Sequence, residues 1–126
     1  MKIAVTGSSG MIGGLLVKKL ASKGNEVVEC SRENCDVLDA EALKKAFGGA
    51  QVVIHLAAKL DEGSKGMAEV NVKGTENALE AAAGSLVEQF IYLSTVGVYG
   101  GTPGIKDENT PTRPETEYEK SKAEAE

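Results

Sequence analysis

Residues 6–13 read Thr6-Gly7-Ser8-Ser9-Gly10-Met11-Ile12-Gly13 and join a short apolar run to an amphipathic segment near the N-terminus. Glycines at this spacing let the backbone turn tightly and approach a pyrophosphate closely, and they let the first helix pack against the first strand. The N-terminus of that helix adds unpaired N–H groups and a positive dipole. An ordinary tight turn is the alternative, but the position between a strand and a helix favours a dinucleotide-binding loop.

Strands and helices alternate along the chain around this loop. Short apolar runs predict strands, whereas apolar residues at turn spacings predict helices. The predicted strands are 2–6, 26–30, 51–56 and 89–94, and the predicted helices are 11–22, 40–47, 64–83 and 118–126. This order implies right-handed crossovers, and therefore an α/β fold: a Rossmann-type doubly wound parallel sheet with helices on both faces.

Composition excludes several classes of function. The chain has 126 residues and a net charge of −5, because 14 Lys and Arg stand against 19 Asp and Glu. An acidic chain without a basic stripe is a poor nucleic-acid binder. No apolar run approaches the ~18 residues that cross a bilayer, and no secretory signal precedes the first strand. We therefore expect a cytoplasmic protein whose residues 1–126 form one nucleotide-binding domain, with no nucleic-acid or membrane partner.

The sequence offers no metal site. Its two cysteines, Cys30 and Cys35, lie close together, and its one histidine, His55, is distant. A zinc site or a disulfide framework needs more ligands or cysteines than these. We expect two reduced thiols and no bound metal.

The end of the second predicted strand decides which nucleotide fits. An acidic residue there binds the ribose hydroxyls and selects NAD, whereas an Arg accommodates the extra phosphate of NADP. Glu29 lies near the offset expected for the acidic residue, but Ser31 and Arg32 fall just past the strand. The sequence leaves NAD(P) open and favours NADP; a solvated loop cation is the alternative for Arg32.

Tyr118 and Lys122 lie four residues apart, and so on one face of the last predicted helix. An ammonium near a phenol lowers the phenol pKa from about 10. Such a Tyr can exchange a proton with an alcohol or carbonyl while hydride moves to or from nicotinamide. Taken alone, this common spacing favours an exposed helix pair in a Glu- and Lys-rich tail, and the catalytic interpretation depends on the rest of the chain.

Six ordered motifs make the whole chain resemble the extended short-chain dehydrogenase/reductase superfamily, in its NAD(P)-dependent epimerase/dehydratase family. They are Thr6-Gly7-x-x-Gly10-x-x-Gly13, Asp36-Val37, His55-Leu56-Ala57-Ala58, Asn71-Val72-Lys73-Gly74-Thr75, Ser94-Thr95-x-x-Val98-Tyr99-Gly100 and Tyr118-x-x-x-Lys122. Family members continue into a further parallel strand and a C-terminal substrate-binding region. The resemblance therefore implies a fragment, truncated before these parts, in which 89–94 forms a hydrophobic edge strand.

The resemblance implies a role for each matching residue. Thr95 would hydrogen-bond the substrate oxygen, Tyr118 would be the acid/base, and Lys122 would hold the nicotinamide ribose and lower the Tyr118 pKa. Asp36 would accept a hydrogen bond from the adenine amino group. The residues expected to bind the cofactor are Gly7, Gly10, Met11, Ile12, Gly13, Ser31, Arg32, Asp36, Val37, Leu56, Ala57, Ala58, Tyr118 and Lys122.

Other residues are expected to be structural. His55 and Asn71 would anchor packing, Met67 and Met11 would fill the core, and Asp61-Glu62 would be a solvated pair.

The function implied is an NAD(P)-dependent epimerase, dehydratase or reductase, homodimeric when full-length, that acts on a nucleotide-sugar or similar polar substrate. The spacing before Asp36 also resembles dTDP-4-dehydrorhamnose reductases, whereas 93–100 resembles epimerases or 3β-hydroxysteroid-dehydrogenase-like reductases. A non-catalytic NAD(P)-binding sensor or interaction module is the alternative from another class.

Overall fold

The chain folds as a four-stranded parallel sheet with helices on both faces. The computed structural model describes residues 1–101 and 103–126. Its elements are β1 (Lys2–Thr6), α1 (Met11–Ser22), β2 (Glu26–Cys30), α2 (Ala40–Phe47), β3 (Val52–His55), α3 (Gly74–Ala83), β4 (Gln89–Tyr92) and α4 (Glu117–Ala125). The strand order is β2-β1-β3-β4, and every pair is parallel. The predicted Rossmann-type architecture is confirmed.

Two apolar cores hold the helices against the sheet. On one face, Val17 of α1 packs with Ile3 and Val5 of β1. On the other face, α2 and α3 pack against the sheet, and Leu43 and Phe47 of α2 are completely buried. Because both faces are covered, the C-terminal ends of β1, β2 and β3 form a firmly held edge.

The long predicted helix 64–83 begins three residues later, at residue 67, and contains a π-helical segment, Glu69–Lys73. Asn71 lies in this segment, and its buried carboxamide forms three hydrogen bonds. It accepts from Lys59 N–H at 2.7 Å, and it donates to Lys59 O at 3.0 Å and to Ser121 Oγ at 2.8 Å. Asn71 thus ties this helix to α4 and to the segment after β3, which confirms its architectural role.

The chain after β4 leads to the last helix. β4 lies at the edge of the sheet, as predicted, with Ile91 and Leu93 partly exposed. A 3₁₀ helix, Val96–Tyr99, follows, and a capping box between Thr116 and Glu119 starts α4. The capping box fixes where α4 begins and thereby the height of Tyr118 and Lys122 above the sheet edge.

Within residues 1–101 and 103–126, the helices are too short or too polar for any of them to span a bilayer.

Candidate active site

A cleft of about 600 Å³ opens at the C-terminal ends of β1, β2 and β3. In open parallel sheets, ligands bind outside this edge. Every residue predicted to bind the cofactor borders the cleft, so the fold brings the glycine loop, residues 31–37 and the Tyr118–Lys122 pair together. The bordering residues that the sequence reasoning missed are Ser9, Cys30, Cys35, Leu38, Lys59, Leu60, Asp61, Val70 and Leu93.

The glycine loop leaves no room for a side chain at Gly7 or Gly13. Gly7 has a φ of +67°, and a Cβ there would lie 2.8 Å from the backbone nitrogen of Ala57. A Cβ at Gly13 would lie only 2.1 Å from the carbonyl oxygen of Gly7. Helix α1 begins after Gly10 without a side-chain cap, so its first N–H groups are available to an anion. This cradle fits a pyrophosphate.

Met11 corrects one expectation from the sequence. Its side chain is 85% exposed, whereas Met67 is buried as predicted. Met11 is the first residue of α1 and lies at the cleft, so it cannot reach the core on the sheet face of the helix. The assignment of Met11 to the core is wrong, although its position beside the glycine loop is as predicted.

The end of β2 presents Ser31 and Arg32 to the cleft. Glu29 is exposed and lies outside the cleft lining. Asp36 also borders the cleft, and its carboxylate accepts a hydrogen bond from Leu38 N–H at 3.0 Å. Of the two residues that the sequence left open as nucleotide selectors, the cleft therefore contains the Arg and not the Glu.

Lys122 is 2% exposed and borders the cleft. It contacts Leu93, just after β4, whereas Arg32 follows β2 at the other edge of the sheet. Its ammonium donates to the carbonyl oxygen of Leu93 at 2.5 Å and lies 4.2 Å from the centroid of the Tyr92 ring. Burial lowers the pKa of Lys122 to about 8. The cationic group is thus held in place by a carbonyl and an aromatic face.

Tyr118 borders the cleft near Lys122, but its pKa differs from the expectation. Burial raises the pKa of Tyr118. The expected lowering by Lys122 is wrong for this arrangement, because the ammonium bonds the Leu93 carbonyl and faces the Tyr92 ring. The pair shares a helix face without the electrostatic coupling that the spacing suggested.

Thr95 lies outside the residues that line the cleft. Its hydroxyl oxygen accepts a hydrogen bond from Gly97 N–H at 3.2 Å and caps the 3₁₀ helix Val96–Tyr99. The fold therefore brings Tyr118 and Lys122 to the cleft, whereas Thr95 lies outside the cleft lining and caps the 3₁₀ helix.

Glu62 is exposed, as expected, and it also contacts the start of α4. Its carboxylate accepts a hydrogen bond from Tyr118 N–H at 3.1 Å, and the carboxylate of Glu117 accepts one from Gly63 N–H at 3.1 Å. These reciprocal bonds fix the loop after β3 against the helix that carries Tyr118. The sequence pattern gives no signal for them, since the partners are more than 50 residues apart.

A buried hydrogen-bond chain starts at Thr6, directly before the glycine loop. The Thr6 hydroxyl oxygen accepts hydrogen bonds from the N–H groups of Leu56 and Ala57, each at 3.2 Å. Its own proton is therefore available to His55 Nδ1, which lies 2.8 Å away. His55 accepts at this nitrogen and carries its proton on Nε2.

The chain of hydrogen bonds continues from His55 towards α4. His55 Nε2 lies 3.1 Å from the Thr75 hydroxyl, which donates to the carbonyl oxygen of Asn71 at 2.6 Å. The Asn71 side chain in turn bonds Ser121 of α4. The two sequence motifs that contain His55 and Thr75 thus connect the glycine loop with the helix of Tyr118. His55 is a buried structural residue, as expected.

His55 makes stability depend on pH. Burial, with a smaller effect from the Lys122 charge, lowers the His55 pKa from 6.5 to about 4. The unfolded chain binds the proton first, so stability is complete above pH 6.5 and is lost as pH falls towards 4. We expect the free energy of unfolding to decrease by about 1 kcal/mol between pH 7.5 and 5.5. Urea unfolding at these two pH values measures this decrease.

His55→Gln is the test of the assignment to His55, since the chain has one His. The variant should be less stable and should lack the pH dependence of the unfolding free energy. An equal pH dependence in the variant would contradict the assignment to His55.

Among the residues that the structure describes, no group of three or more His, Cys, Asp or Glu side chains is placed to hold a metal ion.

The sheet, the glycine loop and the cleft at the strand ends define a Rossmann-type dinucleotide-binding protein. The model of the NAD dependent epimerase/dehydratase family matches residues 3–126. The chain belongs to this family.

The relatives include dehydrogenases and sugar-nucleotide enzymes. The L-arabinose 1-dehydrogenase (NAD(P)(+)) of Haloferax volcanii is 37% identical over 124 residues, which cover 91% of this chain and 47% of the relative. The structure of MoeE5 in complex with UDP-glucose and NAD matches with a TM-score of 0.91 and 28% identity, over 99% of this chain and 46% of that one. The complex of the Thermus thermophilus UDP-glucose 4-epimerase with NAD matches with a TM-score of 0.85 and 32% identity, over 98% and 48%. The chain therefore spans less than half the length of these proteins.

Proposed function

We propose that the full-length protein is an NAD(P)-dependent epimerase, dehydratase or reductase of nucleotide-sugars, and that this chain supplies the cofactor site and the acid/base residue. The observation that carries the proposal is that the glycine loop, with no room for a side chain at Gly7 and Gly13, and the Tyr118–Lys122 pair border one cleft. The relatives support the substrate class, because MoeE5 is found with UDP-glucose and NAD and the Thermus protein is a UDP-glucose 4-epimerase.

The glycine loop would hold the pyrophosphate. The first N–H groups of α1 donate to the phosphate oxygens, and the absence of side chains at Gly7 and Gly13 allows the backbone to approach them. Lys122 would hold the nicotinamide ribose. When bound, the nicotinamide supplies the site that gives or accepts hydride.

Tyr118 would exchange the proton at its phenolic oxygen. Because burial raises its pKa, the phenol is protonated at neutral pH and is ready to donate to a carbonyl oxygen. To accept a proton instead, the phenol needs a closer positive charge. For Lys122 to provide this charge, its ammonium would have to leave the Leu93 carbonyl oxygen that it bonds in the structure. Thr95 would orient the substrate oxygen.

The proposed reaction can be tested with sugar nucleotides. The full-length protein, incubated with NAD or NADP and with UDP- or dTDP-hexoses, should convert at least one of them to an epimer, a dehydrated sugar or an oxidised sugar. Proton NMR of the sugar nucleotide identifies the product. Saturable nucleotide binding without conversion of any such substrate would favour the alternative of a non-catalytic NAD(P)-binding module.

Arg32 is the basis for expecting NADP. A guanidinium forms strong charge-assisted hydrogen bonds with a phosphate, and NAD lacks the ribose phosphate that Arg32 would bind. We expect Arg32→Ala to lower NADP affinity about tenfold and to leave NAD affinity nearly unchanged. Titration of the purified protein with both nucleotides measures this.

Arg113→Ala is the matched control, because Arg113 lies outside the cleft lining. Equal losses for NAD and NADP in Arg32→Ala, or tighter binding of NAD by the unchanged protein, would contradict the NADP preference.

A homodimer and a cytoplasmic location are further parts of the proposal, and both derive from the family resemblance and the composition. Sedimentation of the full-length protein tests the first, and a mass equal to one chain would contradict it.

A further inference from the structure

The two cysteines of the chain meet at the adenosine end of the cleft. Cys30 ends β2, and Cys35 follows a turn in which Cys35 N–H donates to Ser31 O at 2.9 Å. The Asn34 side chain tightens this turn, since it accepts from Ser31 N–H at 2.8 Å and donates to Glu29 O at 3.0 Å. Both thiols are free and buried, and both residues border the cleft.

The two side chains lie in the same buried apolar cluster, on either side of the turn that the Cys35 N–H to Ser31 O hydrogen bond closes. The interaction of the two thiols raises the pKa of Cys30 and lowers that of Cys35, and burial raises the Cys30 pKa further. Cys35 is therefore the sulfur that carries negative charge more readily, and a thiolate is the nucleophilic form. The carboxylates of Asp39 and Asp36 oppose this charge.

We propose that Cys30 and Cys35 are a modification site, at which a hydroperoxide converts the pair into an intramolecular disulfide inside the nucleotide cleft. The Cys35 sulfur attacks the terminal peroxide oxygen, the O–O bond breaks, and an alcohol or water leaves. The resulting sulfenic acid is attacked by the Cys30 sulfur, which loses its proton, and water leaves as the S–S bond forms. Two thiols are oxidised by two electrons, and one peroxide is reduced.

The disulfide would change the groups that line the cleft. An S–S bond of about 2.05 Å is much shorter than any contact between two unbonded sulfur atoms, so Cys30 and Cys35 have to move towards each other. Cys30 O accepts a hydrogen bond from Ser8 N–H at 3.2 Å, within the glycine loop. Asp36 directly follows Cys35. The movement therefore reaches both the pyrophosphate loop and the adenine end.

The consequence for binding rests on the proposed nucleotide function. We expect the disulfide form to bind NADP about tenfold more weakly than the dithiol form, which lies within the usual range of coupling between two sites. Linkage is reciprocal, so saturating NADP should disfavour the disulfide by the same factor. A filled cleft also blocks the access of a peroxide to Cys35.

The site is tested first without nucleotide. The purified protein is treated with tert-butyl hydroperoxide, and intact mass and free thiols are measured. We expect a mass lower by two hydrogen atoms, loss of both thiols and full reversal by dithiothreitol, with no covalent dimer. Cys30→Ser should instead trap the sulfenic acid on Cys35, and Cys35→Ser should react more slowly. Two free thiols after an oxidant dose that fully oxidises a free cysteine, or only intermolecular disulfides, would overturn the proposal.

The second measurement compares NADP affinity of the dithiol and disulfide forms. Weaker binding by the disulfide form, together with slower oxidation in saturating NADP, supports the coupling; equal or tighter binding overturns it. If the dithiol form does not bind nucleotide at all, the proposed function fails, whereas the mass and thiol measurements still decide whether the disulfide forms. Circular dichroism of each variant separates loss of the site from loss of the fold.

Discussion

In the full-length protein, Tyr118→Phe is expected to lower turnover about 1,000-fold, within the usual contribution of a positioned acid or base. The change removes only the phenolic oxygen, and with it the proton that we propose is exchanged with the substrate. The glycine loop and Lys122 are left intact, so nucleotide affinity should change little. Turnover of a sugar nucleotide that the unchanged enzyme converts, together with a nucleotide titration, measures both effects.

Tyr99→Phe is the matched control for this change. It removes the same atom from a residue outside the cleft lining, and it should retain most of the activity. A Tyr118→Phe enzyme with the turnover of the unchanged protein would exclude Tyr118 as the acid/base. A large loss of nucleotide affinity would indicate that Tyr118 mainly binds the cofactor.

Gly13→Ala is expected to lower nucleotide affinity at least about 100-fold. The new Cβ would lie 2.1 Å from Gly7 O and 2.8 Å from the Cα of Ser8, which are backbone atoms that can move only if the loop changes shape. A displaced loop cannot direct its N–H groups at the pyrophosphate. The fluorescence of bound NADPH measures affinity, and urea unfolding shows whether the variant is folded.

Gly14→Ala is the control for Gly13→Ala, since it adds the same methyl group at the next position of α1. Its Cβ would meet only Ser8 O, at an ordinary 3.6 Å. Because Ala favours a helix more than Gly, this variant should bind nucleotide normally and gain up to about 1 kcal/mol of stability. Similar affinities for the two variants would contradict a pyrophosphate role for the loop.

Much of the fold is predictable from the sequence because local signals agree with one another. The strands 2–6 and 26–30 and the helices 11–22 and 40–47 have the predicted bounds. They combine clear periodicity with strong end signals, such as the Asp39 side chain that caps α2. The π-helical segment was not predicted, because it depends on the bonds of Asn71 to Lys59 and Ser121, which are distant in sequence.

In the candidate site, too, some features could be predicted from the sequence and others could not. Residues 6–13 carry their own conformational signal, since glycine is needed where no Cβ fits. The pKa of Tyr118 could not be predicted, because helix spacing says nothing about where the Lys122 ammonium finds an acceptor, and it finds the Leu93 carbonyl. The proximity of Cys30 and Cys35 was missed because a turn of a few residues, rather than a known metal or disulfide spacing, brings both side chains into one buried cluster.

We propose that a dinucleotide lies along the cleft, with its pyrophosphate at the glycine loop and its nicotinamide near Lys122. The most direct measurement is a titration of the isotopically labelled chain with NADP, followed through the amide chemical shifts. We expect saturable shifts at 7–13, 31–37, 56–58 and 118–122, and small shifts along α2, which faces away from the cleft. Shifts confined to other parts of the surface, or saturable shifts that leave 7–13 unaffected, would contradict the claim.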